Sequence, residues 1–386
     1  MPKTYINSDL QQCMITWRHW LHQHPELAFK EETTSDYIAN ALVDMGYEIE
    51  RGWATTGIVA TLKGQQEGRS IALRADIDAL PLTEKNHIPH KSLHDGKMHA
   101  CGHDGHTTML LGAAAHLKEN NNFAGTVHFI FQPAEEAFGG ARVMVEEGLF
   151  DRFPCDAVFG MHNWPGLPAG EFAVHNKEVM SAVDTIYISV KGKGGHAAMP
   201  DQIIDPIVTS AQLITALQSV VSRNVSPLAS AVVSITQVNG GHAANVIPDE
   251  IKLVGTLRYF DNAVGDKVKK RIKKVVKHTC KSMGAKGKVQ FEAGYPATIN
   301  TPKHAKQCAI AAVSLVGKNK VHRDMPPSMG AEDFSYMLNA SQGAYIWIGN
   351  GEGEGGCMLH NSQYDFNDDI LPLGASYWVK LVTDYL

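Results

Sequence analysis

Helical and strand-like patterns of apolar residues alternate along the first half of the chain. They predict helices over residues 8–22 and 33–45, the second stopped at Gly46, and strands over 58–63 and 70–75. The second strand runs into an acidic loop, Asp76-Ile77-Asp78. An apolar helix is expected over 107–118. The continuous apolar run from Val127 to Phe131 reads as a strand buried on both faces and ending at Glu135. A further strand over 157–161 delivers His162. This alternation argues for an α/β fold with a central mixed, mostly parallel sheet and flanking helices.

The pattern then changes. Strands at 184–191, 230–238, 251–259 and 288–293 interleave with helices at 206–222 and 264–283. The order β-α-β-β-α-β is ferredoxin-like. Residues 183–294 are therefore read as an inserted α+β domain, with 1–182 and 295–386 as two parts of one catalytic domain. A helix at 302–316, one in GAEDFSYML, a strand at 344–348 and a last helix complete that domain. In the basic stretch from Lys267, the residues Val268, Ile272, Val275 and Val276 share one helical face. The lysines then form a solvated face rather than a nucleic-acid patch. The glycine-rich run at 349–356 reads as a loop and lacks the spacing of a phosphate-binding loop.

A chain of 386 residues can bury a large core in two or three domains. Its 44% hydrophobic and 19% charged residues, net charge of −5 and mean hydropathy of −0.17 are those of an ordinary globular protein. They give no sign of nucleic-acid or membrane partners. Six cysteines lie scattered without a disulfide-framework spacing, and the first residues hold no apolar signal-peptide core. The expectation is a reduced, cytoplasmic protein.

Four motifs carry candidate chemistry. MHACGHDGH holds Cys101 and His103, and QPAEE holds Glu135 and Glu136. GMHNWPG holds His162, and CMLHNSQYDFND holds His360. Seen alone, a buried cysteine is a small core hydrophobe, and adjacent glutamates are a solvated helix face. Their joint occurrence points instead to a metal site. Thiolate, imidazole and carboxylate together suit Zn²⁺ best, with Mn²⁺, Co²⁺ or Ni²⁺ as alternatives. A carboxylate beside one that binds metal is left to move protons, so a metal-activated hydrolase is the first hypothesis. Cys357 and His360 form a C-x-x-H, but Cys101 already supplies a thiolate and Cys357 is read as incidental.

From HQHPEL to HNSQYDFND these motifs resemble the co-catalytic metallopeptidase and aminoacylase family. Within it they are most similar to the amidohydrolase branch of N-acyl-amino-acid amidohydrolases, hippurate hydrolases and auxin-conjugate hydrolases. The resemblance implies two divalent metal ions per subunit, bridged by Cys101. It makes His103, Glu136, His162 and His360 the other ligands and Glu135 the general base. The wider family has a metal-binding histidine two residues before an aspartate, where this chain reads Arg74-Ala75-Asp76. Asp76 matches the aspartate that orients a ligand by hydrogen bonding. In the inserted domain, His196 resembles a histidine lent to the partner subunit's active site to hold the oxyanion. Asn245 and Arg258 resemble residues that hold the substrate carboxylate. The inserted domain would then serve as a lid and dimerisation domain of a homodimer or higher oligomer. The implied activity is hydrolysis of N-acetyl-, benzoyl- or indole-acetyl-amino acids to a carboxylic acid and a free amino acid. The alternatives are a dipeptidase or carboxypeptidase with the same chemistry, and a non-catalytic metal- or ligand-binding relative. Glu135 argues against the last, because a structural metal site has no need of it.

Overall fold

A computed structural model of the protein describes residues 3–137, 139–352 and 357–386. The chain divides into two units. One comprises Met1–Val179, Thr298–Pro326 and Asp333–Leu386, the other Met180–Ala297 and Pro327–Glu332.

The first unit is built on an eight-stranded mixed sheet. Its spatial order is Glu48–Trp53, Gly57–Lys63, Ala124–Gln132, Gln66–Asp76, Ala157–Pro165, Gly343–Gly351, Phe172–Ala173 and Val321–His322. The four strands from Ala124–Gln132 to Gly343–Gly351 run parallel, and antiparallel pairs flank them. The expected mostly parallel sheet is thus a parallel centre with mixed edges. Parallel strands covered on both faces carry continuous apolar runs. Accordingly Val127, Phe129, Ile130 and Phe131 are all fully buried. The helices Ser8–Gln23, His103–Glu119 and Leu371–Tyr385 contribute Met14, Leu110, Leu111, Val379 and Val382 to the same core.

Three expectations shift. The strand ends at Gln132, and Glu135 lies in the turn beyond it rather than at the strand's end. Pro133 cannot donate to the ladder, and Ala134 turns left-handed at φ 56°. The apolar helix begins at His103, four residues before the expected start, so His103 and His106 occupy its first turn. In the glycine-rich run, Gly349–Gly351 continue the strand, and residues 353–356 lie outside the described residues. The strand Glu48–Trp53 went unread because its sequence, EIERGW, has no clear apolar alternation.

The second unit holds a four-stranded antiparallel sheet in the order Ala231–Asn239, Glu250–Tyr259, Ala182–Lys191, Lys286–Ala293. With helices Pro206–Asn224 and Asn262–Ser282, this is the ferredoxin-like order. Along Ala182–Lys191 every second residue is buried, as alternation requires when only one sheet face is covered. Val268, Ile272, Val275 and Val276 turn into that core with Leu213 and Leu217, while Lys267, Lys270, Lys274 and Lys277 are exposed.

Candidate metal centre

The ends of neighbouring parallel strands bring the candidate residues of the first unit together, as open α/β sheets do. Asp76 closes Gln66–Asp76, Glu135 and Glu136 follow Ala124–Gln132, and His162 lies within Ala157–Pro165. Cys101 precedes the helix that carries His103 on its first turn. Gly102 between them has φ 92°, and a Cβ there would meet Asn163 Oδ1 at 2.3 Å. Only glycine fits between the two candidate ligands. His360 is itself left-handed at φ 64°, and its N–H donates to Ala100 O at 2.8 Å. That bond ties the His360 loop to the cysteine loop.

Donor atoms of Cys101, His103 and His162 lie within 4.8 Å of one another. The same holds for Cys101, Glu136 and His360, and for His103, Glu135 and Glu136. All six residues predicted for the metal site therefore converge. Among the described residues no such group includes Cys357. Two imidazoles are oriented from behind. His103 Nδ1 donates to Asp78 O at 2.9 Å, and His162 Nδ1 to Asn163 O at 2.6 Å. Each leaves Nε2 facing the cluster, where His162 Nε2 is 3.4 Å from Cys101 Sγ. His103 Nε2 is buried without a hydrogen-bond partner, 3.7 Å from Asp76 Oδ2 and 3.9 Å from Glu136 Oε1.

The electrostatics describe a place for a cation. Burial, then Glu136, Glu135 and Asp76, push the Cys101 thiol well above its usual range. Burial opposes charge on His103, but Asp76, Asp78 and Glu136 outweigh it and hold its pKa at about 10. Burial and then His106 keep His162 neutral, the form that binds metals. Negative charge thus crowds a buried imidazole nitrogen that has nothing to bond. A divalent ion fits this donor set.

The second unit places its own candidates. His196 and Val246 are paired across a two-stranded ribbon, and Asn245 O accepts from Ala197 N–H at 3.0 Å. His196 and Asn245 are therefore near neighbours, both exposed. Arg258 is half-buried and donates through Nη1 to Met329 O at 2.6 Å.

The profile of Peptidase family M20/M25/M40 matches residues 72–384. The chain belongs to that family. It is 41% identical to a hippurate hydrolase of Campylobacter jejuni over 378 residues, covering 98% of each chain. It is 39% identical to an N-acetyl-L-cysteine deacetylase of Bacillus subtilis, covering 96% of this chain and 88% of that one. Among solved structures it is similar to the Bacillus subtilis YXEP protein, described as a dinuclear metal binding peptidase. That TM-score is 0.86 at 34% identity, over 98% of this chain and 99% of that one.

In this family member the structure adds residues that the motifs did not single out. Asp78 orients His103, and its Oδ2 accepts the Glu136 N–H at 3.0 Å. His106, the last histidine of MHACGHDGH, bridges Asp76 Oδ1 at 2.6 Å and Asn163 Oδ1 at 2.7 Å. Asp76 thus bonds His106 and Arg74, and reaches His103 only at 3.7 Å. Glu31 accepts the Ala134 N–H at 2.9 Å, beside the glutamate pair. Burial and the charge of Asp78 push its carboxyl up to about 7. The acidic loop and the third histidine of MHACGHDGH were visible signals for Asp78 and His106. Glu31 carried none.

Proposed function

We infer that this protein is a metal-dependent amidohydrolase that cleaves the amide bond of N-acyl amino acids to a carboxylic acid and a free amino acid. One observation carries the reading. Glu135 stands beside five converging donor residues, one of them its own neighbour Glu136. A site built only to bind metal has no use for that further carboxylate. Hippurate is N-benzoylglycine, so the substrates named for the two relatives differ in acyl group and side chain. They share an N-acyl α-amino acid, and that is the class assigned to this chain.

Two divalent ions per subunit would suit the donors, and Cys101, His103, Glu136, His162 and His360 are the residues that would hold them. Zn²⁺ fits best by donor chemistry, with Mn²⁺, Co²⁺ and Ni²⁺ next. When bound, such ions supply Lewis acidity, polarising the scissile carbonyl and lowering the pKa of water toward neutrality. Glu135 takes the proton of the attacking water and delivers it to the leaving amine nitrogen. His196 donates a hydrogen bond to the developing oxyanion, in the partner subunit of a homodimer formed through residues 183–294. Asn245 and Arg258 hold the substrate carboxylate. Among the described residues no helix is long and apolar enough to cross a membrane, in keeping with action on small substrates in the cytoplasm.

The test is turnover by protein loaded with each metal, on N-acetyl, N-benzoyl and indole-acetyl amino acids and on dipeptides, with metal content measured alongside. Release of free amino acid from N-acyl substrates is expected. Fully loaded protein inert on the whole panel would overturn the reading, and a clear preference for dipeptides would replace it with a dipeptidase.

A further inference from the structure

We propose that Asp333, held by Arg74, is a positioning residue for Glu135, clamping both ends of the turn that carries the glutamate pair. This rests on Glu135 being the base. Asp333 comes from GAEDFSYML, a motif the reaction does not otherwise use. Its side chain is fully buried, yet it makes no capping bond to the helix Phe334–Ala340 that it precedes. Its Oδ2 accepts from the Ala141 N–H at 2.9 Å and from Gln132 Nε2 at 2.9 Å. Gln132 is the last residue of its strand, and Ala141 lies in the first turn of the helix Gly140–Glu146. Gln132, just before the glutamate pair, and Ala141, just after it, are therefore both fixed on one carboxylate. The Asp333 N–H itself donates to Glu135 Oε1 at 3.4 Å.

Arg74 makes the clamp rigid. It is 1% exposed and donates Nη2 to Asp333 Oδ1 at 3.0 Å, Nε to Gln132 Oε1 at 2.6 Å and Nη1 to Asp76 Oδ2 at 2.7 Å. A planar guanidinium reaches these three partners from three separate nitrogens in a fixed fork, a geometry that the single nitrogen of an ammonium does not reproduce. The turn needs outside anchors. Ala134 sits at φ 56°, and a Cβ on Gly140 would lie 1.8 Å from Pro133 O. Backbone held this way persists only where its surroundings impose it.

Asp333→Asn tests the clamp without orphaning Arg74, which keeps Asp76. An amide nitrogen in the place of Oδ2 can accept from neither Gln132 nor Ala141. Supporting contacts of this kind cost about 10- to 100-fold when lost. We expect kcat to fall by about that factor, with KM and metal content unchanged. In metal-free protein, amide exchange at residues 140–142 should quicken by about tenfold or more, measured by mass spectrometry. In the Glu135→Gln background, Asp333→Asn should cost nothing further, because it acts through Glu135. Unchanged exchange, or a full additional loss in that background, overturns the proposal. An active Glu135→Gln enzyme also overturns it, and that failure of the base assignment shows in the single variant alone. If Asp333→Asn does not fold, Arg74→Lys takes its place and the same pattern is expected.

Discussion

Exchanging a carboxylate for an amide at each of two adjacent glutamates separates proton transfer from metal binding. In Glu135→Gln the side chain keeps its size and an oxygen that can accept the Asp333 N–H, now 3.4 Å from Oε1. The turn should hold, and the loss should be that of a general base, about 10²- to 10⁴-fold in kcat. That corresponds to about 2.7–5.4 kcal/mol in activation free energy. Glu136 is placed differently. Its Oε1 lies 3.2 Å from His360 Nε2, and it shares a compact donor group with Cys101 and His360. Removing its charge takes a donor from the ion. Groups that merely orient ligands cost about 10- to 100-fold in metal affinity, so Glu136→Gln should cost at least that. The assay is metal content after dialysis, chelator competition, and kcat on N-benzoylglycine at saturating metal. Metal lost in Glu135→Gln but kept in an inactive Glu136→Gln would reverse the two roles. Glu135→Gln turnover within about threefold of wild type would refute the base.

Cys101→Ala should lower bound metal and turnover together, and normal metal content in the pure variant would remove Cys101 from the ligand set. Mixing inactive His196→Ala and Glu135→Gln protomers should restore activity once subunits exchange, and exchange without recovery would confine His196 to its own chain or to no role. Converting the substrate carboxylate to an amide should lower kcat/KM about 10- to 150-fold, less in Arg258→Ala, and equal turnover of acid and amide would make the protein a general amidase. Burial holds His128 at about 4, its Nδ1 2.9 Å from Thr61 Oγ1. The unfolded chain takes up that proton near 6.5, so this stability is present above pH 6.5 and lost as pH falls toward 4, by roughly 3 kcal/mol. Urea unfolding should show this slope flattened in His128→Asn, and an unchanged slope would exclude His128 as its source.

Periodicity carried the fold because most elements bury one face or two. The helix Pro302–Val316 matches its expected bounds, with proline at its first position and Gly317 just past its end. Alternation marked Ala182–Lys191 equally well. The cluster of candidate donors was legible because its residue types are rare in such combinations. What sequence could not show was contact between distant positions. Asp333 meets Gln132 and Ala141 across about two hundred residues, and no period links them. Asp78 stood in the same acidic loop as Asp76, but its bond to the Glu136 N–H depends on two strand ends meeting. Two-residue strands such as Phe172–Ala173 are too short to carry a period at all.

The buried charges around the site are better explained by orientation than by stability. Ligand-bearing loops are irregular, so their N–H groups need acceptors other than a sheet ladder. Here carboxylates serve: Glu31 for Ala134, Asp78 for Glu136 and Asp333 for Ala141. Each buried carboxylate calls for a cation or donors of its own. Arg74 stands against Asp76 and Asp333. Arg18 and His22 meet Asp104, next to His103, and Asp104 with Glu84 outweighs burial to hold His22 at about 9. Buried ion pairs of this kind add little net stability compared with apolar packing. They do fix rotamers and loop paths at the sub-ångström level that a metal site needs. Arg18, His22 and Arg74 stand behind the candidate ligands, and in front Cys101, Glu135 and Glu136 converge on the Nε2 edges of His103 and His162. That uneven arrangement crowds donors and carboxylates together at one place, which is what divalent ions would complete.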